Sequence, residues 1–166
     1  MLLIRRSILT EKIARRGRHI VQEYSVDPLA LFQAEQIMTR DPATLKGDMR
    51  VGDALDFFQT RADHRSYPVV DEEGRLIGLV SRTDALRWQA GETPLSATLS
   101  ETVSDAGLPF AHPDTPIGAI ADLIVESGFG RIPIVEPAFR RVVGILSRQD
   151  LLKARKFHRI AEERRN

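Results

Sequence analysis

The chain has 166 residues, enough for one compact domain or for two small repeats packed as one. Its apolar fraction of 42% is ordinary for a globular protein, and the lack of cysteine excludes structural disulfides and thiolate metal sites. The net charge of +1 argues against a generic polyanion binder, and no apolar run approaches the ~18 residues of a membrane span or the pattern of a signal peptide.

Charge is distributed unevenly along the chain. Residues 1–24 hold six Lys or Arg and two Glu, and residues 148–166 hold seven Lys or Arg and three Asp or Glu, so both ends are basic. The body between them is acidic. Two interpretations are open: the ends are solvated, charged helices, or both ends face something anionic, such as a membrane surface or a partner.

Residues 1–35 are predicted to form an N-terminal helix and a connector. The helix would span residues 4–21, where apolar and charged positions are mixed. The following stretch is predicted to be extended, because Pro28 disfavours a helical conformation of the residue before it. A short helix is predicted to begin at Leu29 and to lead to Thr39.

A first repeat is predicted over residues 36–92, in the order short strand, helix, strand, turn, strand, helix. A β-rich run at residues 67–70 and an apolar run at residues 76–80 are the strands of a hairpin, and Gly74 supplies a positive φ in the turn between them. The helix before the hairpin has apolar residues at the i, i+3, i+4, i+7 spacing, which are Val51, Ala54, Leu55 and Phe58.

The same pattern returns about 66 residues later and predicts a second repeat over residues 93–157. Its strands are predicted at residues 132–135 and 142–146, and the turn between them is longer and lacks glycine. A proline interrupts the upstream strand region at residues 106–110, so the two repeats are not expected to be equivalent. Its helix repeats the apolar spacing with Ile117, Ile120, Ala121 and Ile124.

Each repeat is too small to bury a generous core by itself. We therefore expect an α+β fold in which two β-α-β-β-α repeats pack as a pseudo-twofold pair. The joint between the repeats, roughly residues 90–116, is rich in proline and is predicted to include a short helix near residues 99–103. Residues 158–166 are predicted to be a C-terminal tail.

A serine and an aspartate three residues apart stand at the same point of both repeats, where a strand becomes a helix. They are Ser81 with Asp84, and Ser147 with Asp150. The structural interpretation is a helix capping box, in which the serine accepts a hydrogen bond from a helix amide. A compatible functional interpretation is that free amides and a hydroxyl bind phosphate while the aspartate accepts from ribose hydroxyls. A ligand that contains both a phosphate and a ribose is a nucleotide, so the motif is compatible with nucleotide binding.

Both repeats resemble the cystathionine β-synthase (CBS) domain family. The resemblance rests on the ending Gly-hydrophobic-hydrophobic-Ser-x-x-Asp, on the x-Pro-Val/Ile-Val strand at Pro68 and Pro133, and on the helix spacing. It covers about residues 36–157 and implies a tandem CBS pair, or Bateman module, with two related clefts between its sheets. Members of the family often bind adenine nucleotides (AMP, ADP or ATP) there and commonly associate as flat homodimers.

The resemblance also implies roles for individual residues. Asp84 and Asp150 would hold ribose hydroxyls, while Arg82 and Arg148, beside the two serines, would lie near phosphate. Thr44, Leu45, Tyr67 and Ile132 would border the base. The full set of predicted nucleotide-binding residues is Thr44, Leu45, Tyr67, Pro68, Ser81, Arg82, Thr83, Asp84, Ile132, Pro133, Ser147, Arg148 and Asp150.

A narrower resemblance lies near the N-terminus. Residues 7–17, followed by residues 27–29, resemble the segment that joins ClC-type chloride channels to their cytoplasmic CBS pair. This resemblance implies an excised regulatory part of a channel or transporter, located in the cytoplasm at the inner face of the membrane, with a transmembrane channel domain in cis. Free-standing CBS pairs share the core motifs, so a free-standing module stays open.

We therefore predict a non-catalytic module that senses adenine nucleotides by a population shift between two packings. The alternative is a ligand-independent dimerisation module with vestigial clefts. A nucleic-acid binder fits the arginine-rich ends but neither the acidic body nor the few aromatic residues. No catalytic constellation is present, and the four histidines lack metal-ligand spacing, so neither an enzyme nor a metal site is predicted.

Overall fold

The computed structural model describes residues 27–165. The helix predicted over residues 4–21 lies outside the described residues. Within the described range, no helix is both long and apolar enough to cross a lipid bilayer.

Seven helices and six strands make up the described part of the chain, and the α+β class is confirmed. In chain order they are α1 (Pro28–Leu31), α2 (Ala34–Ile37), β1 (Thr39–Arg40), β2 (Leu45–Lys46), α3 (Val51–Thr60), β3 (Ser66–Val70), β4 (Leu76–Ser81), α4 (Arg82–Gln89), α5 (Leu99–Thr102), α6 (Ile117–Ser127), β5 (Arg131–Val135), β6 (Val142–Ser147) and α7 (Arg148–Glu163).

The strands form two small sheets, one for each repeat. The first sheet has the order β2-β3-β4, in which β2 is parallel and β4 antiparallel to β3. The second has the order β1-β6-β5, with both neighbours antiparallel to β6. The upstream strand predicted for the second repeat is reduced to a single parallel bridge between Ala111 and Ile134. The proline-interrupted sequence around it explains this loss, because proline cannot donate to a ladder.

Each sheet has a separate hydrophobic core under its helices. In α3, Val51, Ala54 and Phe58 are buried as the apolar spacing predicts, while Leu55 is half-buried. In α6 the buried residues are Ile117, Ile120 and Ile124.

The segment that precedes each repeat packs on the core of the other repeat. The first such segment, residues 28–40, is called the first leader here, and residues 95–103 are called the second leader. Leu29, Ala34 and Met38 of the first leader lie in the core under the second sheet, whereas Leu99 of the second leader lies in the core under the first sheet. The predicted boundary at residue 36 lies inside the first leader, so it does not coincide with a boundary between the two hydrophobic cores.

The leaders also satisfy the helix starts that they cover. An α-helix begins with amides that have no partner inside the helix. The amide of Val51 at the start of α3 donates to the Ala97 carbonyl at 2.8 Å, and the amide of Ile117 at the start of α6 donates to the Phe32 carbonyl at 3.0 Å. The exchange of leaders is thus fixed by backbone hydrogen bonds as well as by apolar packing.

Two equivalent glycines allow the leaders to approach the sheets closely. Gly78 lies in β4 and Gly144 lies 66 residues later in β6. A Cβ atom on Gly78 would lie 2.7 Å from Cγ2 of Val103, and one on Gly144 would lie 2.9 Å from Cγ of Met38. A side chain at either position would therefore require the leader that packs on that strand to move.

The two repeats meet at their hairpin turns around a pseudo-twofold axis. The Leu76 amide donates to the Arg140 carbonyl at 3.0 Å, and the Val142 amide donates to the Gly74 carbonyl at 3.1 Å. These two bonds join equivalent residues of the two repeats. Gly74 has φ 80°, as predicted for the first turn, and Arg140 has φ 60° in the second, a conformation uncommon for a residue other than glycine.

Candidate functional site

The two Ser-x-x-Asp motifs are helix capping boxes, as predicted. Ser81 follows β4 and donates its amide and its hydroxyl to Oδ2 of Asp84, at 2.7 Å and 2.8 Å. Ser147 follows β6 and makes the same two bonds to Oδ2 of Asp150, at 2.8 Å and 2.7 Å. Each serine hydroxyl also accepts from the amide of its aspartate. The cap holds both carboxylates in one fixed orientation at the edge of the inter-repeat surface.

The capping bonds use only one oxygen of each carboxylate. All of them run to Oδ2, so Oδ1 of Asp84 and of Asp150 is the oxygen that can accept from another donor. Both aspartates are half-buried, which leaves them within reach of a ligand. A ribose, which offers two adjacent hydroxyl donors, is compatible with this geometry.

The expectation of a row of free amides at each helix start is wrong in part. In α4 the Arg82 amide donates to the Arg65 carbonyl at 2.9 Å, and the Asp84 amide donates to the Ser81 hydroxyl. In α7 the first and third amides are engaged in the same way. The cause is the antiparallel pairing of β3 with β4 and of β5 with β6. It continues one residue beyond each pair of strands and brings the Arg65 or Gly130 carbonyl to the helix start. Only the second amide of each first turn, that of Thr83 in α4, remains for an anion.

The arginines predicted to contact phosphate are both exposed. One guanidinium nitrogen of Arg82 donates to the Ala62 carbonyl at 2.9 Å, which holds this side chain near the end of α3. Arg148 begins α7 at the equivalent position. Both motif arginines are therefore accessible from solvent at the helix starts.

A third arginine, Arg131, connects the two repeats. It lies at the start of β5 opposite Ser147, and its guanidinium donates to the Ser66 carbonyl of β3 at 2.8 Å. The same group lies 6.0 Å from the centre of the Tyr67 ring. Partial burial lowers the pKa of Arg131, and the proximity of Tyr67 and Asp150 opposes that effect. Because Ser66 pairs with Ser81 across β3 and β4, this cation lies between the two capping boxes.

Sequence reasoning missed Arg131, although a signal was present. The repeat aligns Arg131 with Ser66, so a charged residue replaces a small polar one directly before an apolar strand. A charge at the start of a buried strand requires a partner or an exit to solvent. The two candidate nucleotide sites are therefore not equivalent, as the departures between the repeats predicted.

The aromatic side of the site is built around Tyr67. Its ring is buried and packs edge-on against Phe57 and Phe58, at centroid distances of 5.0 Å and 5.7 Å. The Tyr67 hydroxyl accepts from the His64 amide at 3.0 Å. Desolvation lowers the pKa of the His64 imidazole, the positive charge of Arg131 lowers it further, and Asp63 opposes both. Burial and the charge of Arg131 both disfavour the charged form of the His64 imidazole.

The predicted residues fall into one group on each sheet. On the first sheet, Thr44 precedes β2 and Leu45 begins it, β2 pairs with β3, which contains Tyr67 and Pro68, and β3 in turn lies beside Ser81. On the second sheet, Ile132 and Pro133 lie opposite Leu146 and Ile145, beside the second capping box. Of the residues predicted to border the base, Leu45, Tyr67 and Ile132 are buried and Thr44 is half-buried; Pro68 and Pro133, also in the predicted set, are buried.

Two surface concavities lie at the opposite end of the sheets, beside the hairpin turns. One has a volume of about 520 Å³ and includes Lys46, Asp48 and Thr98 in its lining. The other has a volume of about 860 Å³ and includes Arg75, Asp105 and Arg140. None of the predicted nucleotide-binding residues lines either concavity.

Comparison with known proteins gives one family. A model described as the CBS domain matches residues 34–91 and again residues 96–156. The pig subunit gamma-3 of 5'-AMP-activated protein kinase is 28% identical over 89% of this chain and 30% of the subunit. The chain spans less than half the length of the relatives that it matches.

Solved structures show the same fold. CBSX2 in complex with AMP is 22% identical, with a TM-score of 0.61 over 77% of this chain and 98% of that one. The CBS domain pair of protein MJ0100, in complex with 5'-methylthioadenosine and S-adenosyl-L-methionine, is 24% identical, with a TM-score of 0.61 over 74% of this chain and 94% of that one.

Proposed function

Because this chain belongs to the CBS domain family, we propose that it is a non-catalytic regulatory module that senses adenine nucleotides between its two repeats. The observation that carries the proposal is the position of Arg131, which lies opposite Ser147 of the second capping box and bonds the Ser66 carbonyl beside the first. A nucleoside phosphate needs a cation for its phosphate and acceptors for its ribose hydroxyls, and Arg131 together with the Oδ1 atoms of Asp84 and Asp150 would supply both.

The same geometry suggests how binding could be transmitted. Arg131 belongs to the second repeat, and its hydrogen bond to the Ser66 carbonyl reaches into the first. A phosphate that takes this guanidinium as its partner would replace a bond between the repeats with a bond to the ligand. The ligand would then favour a different packing of the repeats, to the extent that its affinities for the two packings differ.

Relatives support an adenine ligand. The similar proteins include a subunit of 5'-AMP-activated protein kinase and CBS proteins in complex with AMP or with S-adenosyl-L-methionine. AMP, ADP and ATP share the adenosine part and differ in the number of phosphates. The protein groups that bind phosphate therefore determine which of the three nucleotides binds best. One guanidinium and a single amide in each first helical turn favour a short phosphate chain, and AMP is the nucleotide that we propose.

Replacement of Arg131 tests this proposal. We expect Arg131→Gln to weaken AMP binding by about 10- to 100-fold, because a charge-assisted hydrogen bond contributes roughly 1.5–3 kcal/mol. Isothermal titration with AMP, ADP and ATP, each with and without Mg²⁺, measures the effect. Arg87→Gln removes an equal charge from the exposed face of α4 and serves as the control. Equal affinity of the Arg131→Gln and Arg87→Gln variants would contradict the proposal.

Two further variants identify the working cleft. Asp84→Asn and Asp150→Asn remove the carboxylate charge but keep an oxygen that can accept the capping bonds. Loss of binding in one variant, with an unchanged melting temperature, assigns the ribose to that repeat. If the unmodified protein gives no heat of binding with AMP, ADP or ATP, the sensor function is rejected.

The narrower part of the proposal concerns the attached protein. Residues 7–17 and 27–29 resemble the segment that precedes the CBS pair of ClC-type chloride channels, and the basic residues 1–24 suit the anionic inner surface of a membrane. We therefore propose a regulatory role for a chloride channel or transporter. The test is whether a channel that carries this module loses its nucleotide dependence with Arg131→Gln.

A second candidate function, a ligand-independent dimerisation module, is favoured by a different observation. Leu86 in α4 and Leu152 in α7 occupy equivalent positions, and 66% and 58% of their surfaces are exposed. Symmetric apolar residues of this kind are suited to contact with a second copy.

Charge substitution at these leucines tests the dimer. We expect the double variant Leu86→Glu, Leu152→Glu to convert a dimer into a monomer, because a carboxylate buried at an interface is strongly unfavourable. Light scattering after size exclusion measures the mass. Leu95→Glu, at a leucine of comparable exposure, should leave the mass unchanged. A dimer that survives the double variant would show that these leucines do not form the interface.

A further inference from the structure

The two sheets differ in one respect that their pseudo-symmetry does not require. In the second sheet, β6 has a neighbour on each side, because β1 pairs with it through Thr39 opposite Ile145. The Asp41 amide extends this pairing by donating to the Val143 carbonyl at 3.4 Å. In the first sheet, β4 pairs with β3 alone. Among residues 27–165, no segment takes the position beside β4 that β1 takes beside β6.

The second leader begins in the same way as the first and then turns aside. Val103 packs on Gly78 as Met38 packs on Gly144. The next residue, Ser104, accepts the Ala106 amide with its hydroxyl at 3.1 Å, and the Leu108 amide donates to the Asp105 carbonyl at 3.2 Å. These local bonds fold the chain into a turn and away from β4. Within residues 27–165 the position of the missing strand is therefore left unfilled.

The open edge of β4 carries backbone groups that can bind a strand. Leu79 lies opposite Pro68, which has no amide, so the amide and carbonyl of Leu79 point to the open side. In the second sheet Ile145 lies opposite Pro133 and faces Thr39 of β1 on its other side. Ile77 is the counterpart of Val143, whose carbonyl accepts from Asp41. An edge of this kind is a template for another strand.

A groove of about 860 Å³ lies beside the first two residues of β4. Leu76 and Ile77 line it on the side of β4, Ser104 and Asp105 line it on the side of the turn, and Phe139 and Arg140 close one end. The groove is concave, which favours a single extended peptide over the flat edge of a second copy of the chain.

The charges of the groove favour a basic occupant. Four carboxylates line the groove and the adjoining concavity, against the three basic side chains of Lys46, Arg75 and Arg140. Arg75 pairs with Asp71 and Glu73, and the Arg140 guanidinium lies 4.7 Å from the centre of the Phe110 ring. Asp105 makes no salt bridge with any of the described residues, and Asp48 and Glu72 of the adjoining concavity make none either. The strand that fills the equivalent position on β6 contains an arginine, Arg40.

We propose that the edge of β4 binds an extended, basic segment of a partner polypeptide by β-strand addition. The segment lies antiparallel to β4, donates an amide to the Ile77 carbonyl and pairs with both backbone groups of Leu79. Its basic side chain lies near Asp105. In this mode the main chain supplies affinity and the side chains supply selectivity. This site is separate from the capping boxes, so it does not depend on nucleotide binding.

The probe for the test is a synthetic peptide with the sequence of residues 37–43 followed by two lysines, Ile-Met-Thr-Arg-Asp-Pro-Ala-Lys-Lys, which is basic and contains the strand that fills the equivalent position on β6. Added to the full chain, it should shift the NMR amide signals of residues 76–79 and slow hydrogen exchange of the Leu79 amide. Before addition, that amide should exchange roughly tenfold or more faster than the Ile145 amide, which β1 covers.

Two controls separate strand addition from contact through side chains. The same peptide with an N-methyl group on its aspartate lacks the donor to the Ile77 carbonyl and should bind about five- to tenfold more weakly. Asp105→Lys should weaken the unmodified peptide by about two- to fivefold, whereas Asp114→Lys, at an exposed site outside the groove, should have no effect. Equal binding of the N-methylated peptide, no binding of the probe, or a Leu79 amide as protected as that of Ile145 would each overturn the proposal.

Discussion

Gly78→Ala is expected to lower the free energy of unfolding by about 3 kcal/mol, which corresponds to a melting temperature roughly 6–12 °C lower for a chain of this length. The new methyl group would lie 2.7 Å from Cγ2 and 2.9 Å from Cγ1 of Val103. Valine has a β-branched side chain with few accessible rotamers, so it cannot turn out of the way. The second leader must then move as a whole, and this movement takes Leu99 out of the core under the first sheet. Chemical denaturation measures the change.

Two controls link this loss to the contact with Val103. Gly130→Ala adds a methyl group where no atom lies within 4 Å of the new Cβ, and it should change stability by less than about 0.5 kcal/mol. Adding Val103→Gly to Gly78→Ala should restore part of the lost stability, because the Cβ of Val103, which is the atom nearest the new methyl group, and both its Cγ atoms are then absent. If the double variant is as unstable as the sum of the two single variants predicts, the clash is not the cause.

Leu99→Ala has the second large effect that we expect, a loss of about 2–5 kcal/mol. Leu99 has no exposed surface, although its helix α5 has only four residues. Its side chain lies in the core under the first sheet, while the chain around it leads into the second repeat. Truncation leaves a cavity in a core that is already small, and thermal unfolding followed by circular dichroism measures the cost.

Leu95→Ala is the matched control for this truncation. Leu95 belongs to the same leader, but 51% of its surface is exposed, so its truncation should cost less than about 0.5 kcal/mol. Calorimetry of Leu99→Ala should still show one transition at a lower temperature, because each core contains a leader from the other repeat. Two separate transitions would show that the repeats unfold independently and that the exchange of leaders contributes little.

Local patterns in the sequence predicted most of the secondary structure. The apolar spacing of α3 and α6 depends only on the period of a helix, and the capping boxes depend only on a serine and an aspartate three residues apart. The first hairpin turn follows from Gly74, which adopts the expected positive φ. The structure of these segments is decided by contacts within a few residues, and such contacts are readable in the sequence.

The exchange of leaders was not predictable in this way. The offset of about 66 residues between the repeats identifies equivalent residues. It does not predict in which hydrophobic core each leader is buried. Ala34 and Leu99 are buried equally well whether they pack on their own repeat or on the other one, so hydrophobicity cannot distinguish the two arrangements. The arrangement is decided by the backbone bonds from Val51 to Ala97 and from Ile117 to Phe32, together with the close packing of each leader on a glycine of the other repeat.

The candidate site was partly predictable for the same reason. Asp84 and Asp150 follow from a local motif and lie where the motif placed them, with one oxygen outside the cap. The loss of free amides depends on carbonyls that precede β3 and β5, and Arg131 depends on a contact between repeats 65 residues apart in sequence. A single sequence can signal that a charge such as that of Arg131 needs a partner, but it does not identify the partner of a long-range contact.

The exchanged leaders have a consequence for any attempt to divide or transplant the protein. A break in the joint between Gln89 and Leu95 would leave each fragment with the leader that completes the other fragment's core. Neither fragment could bury its own apolar face, yet the two together would hold every contact of the intact molecule. Such fragments should complement each other in a mixture, as the halves of a split reporter do, and the smallest unit that evolution or an engineer can move between proteins is the pair.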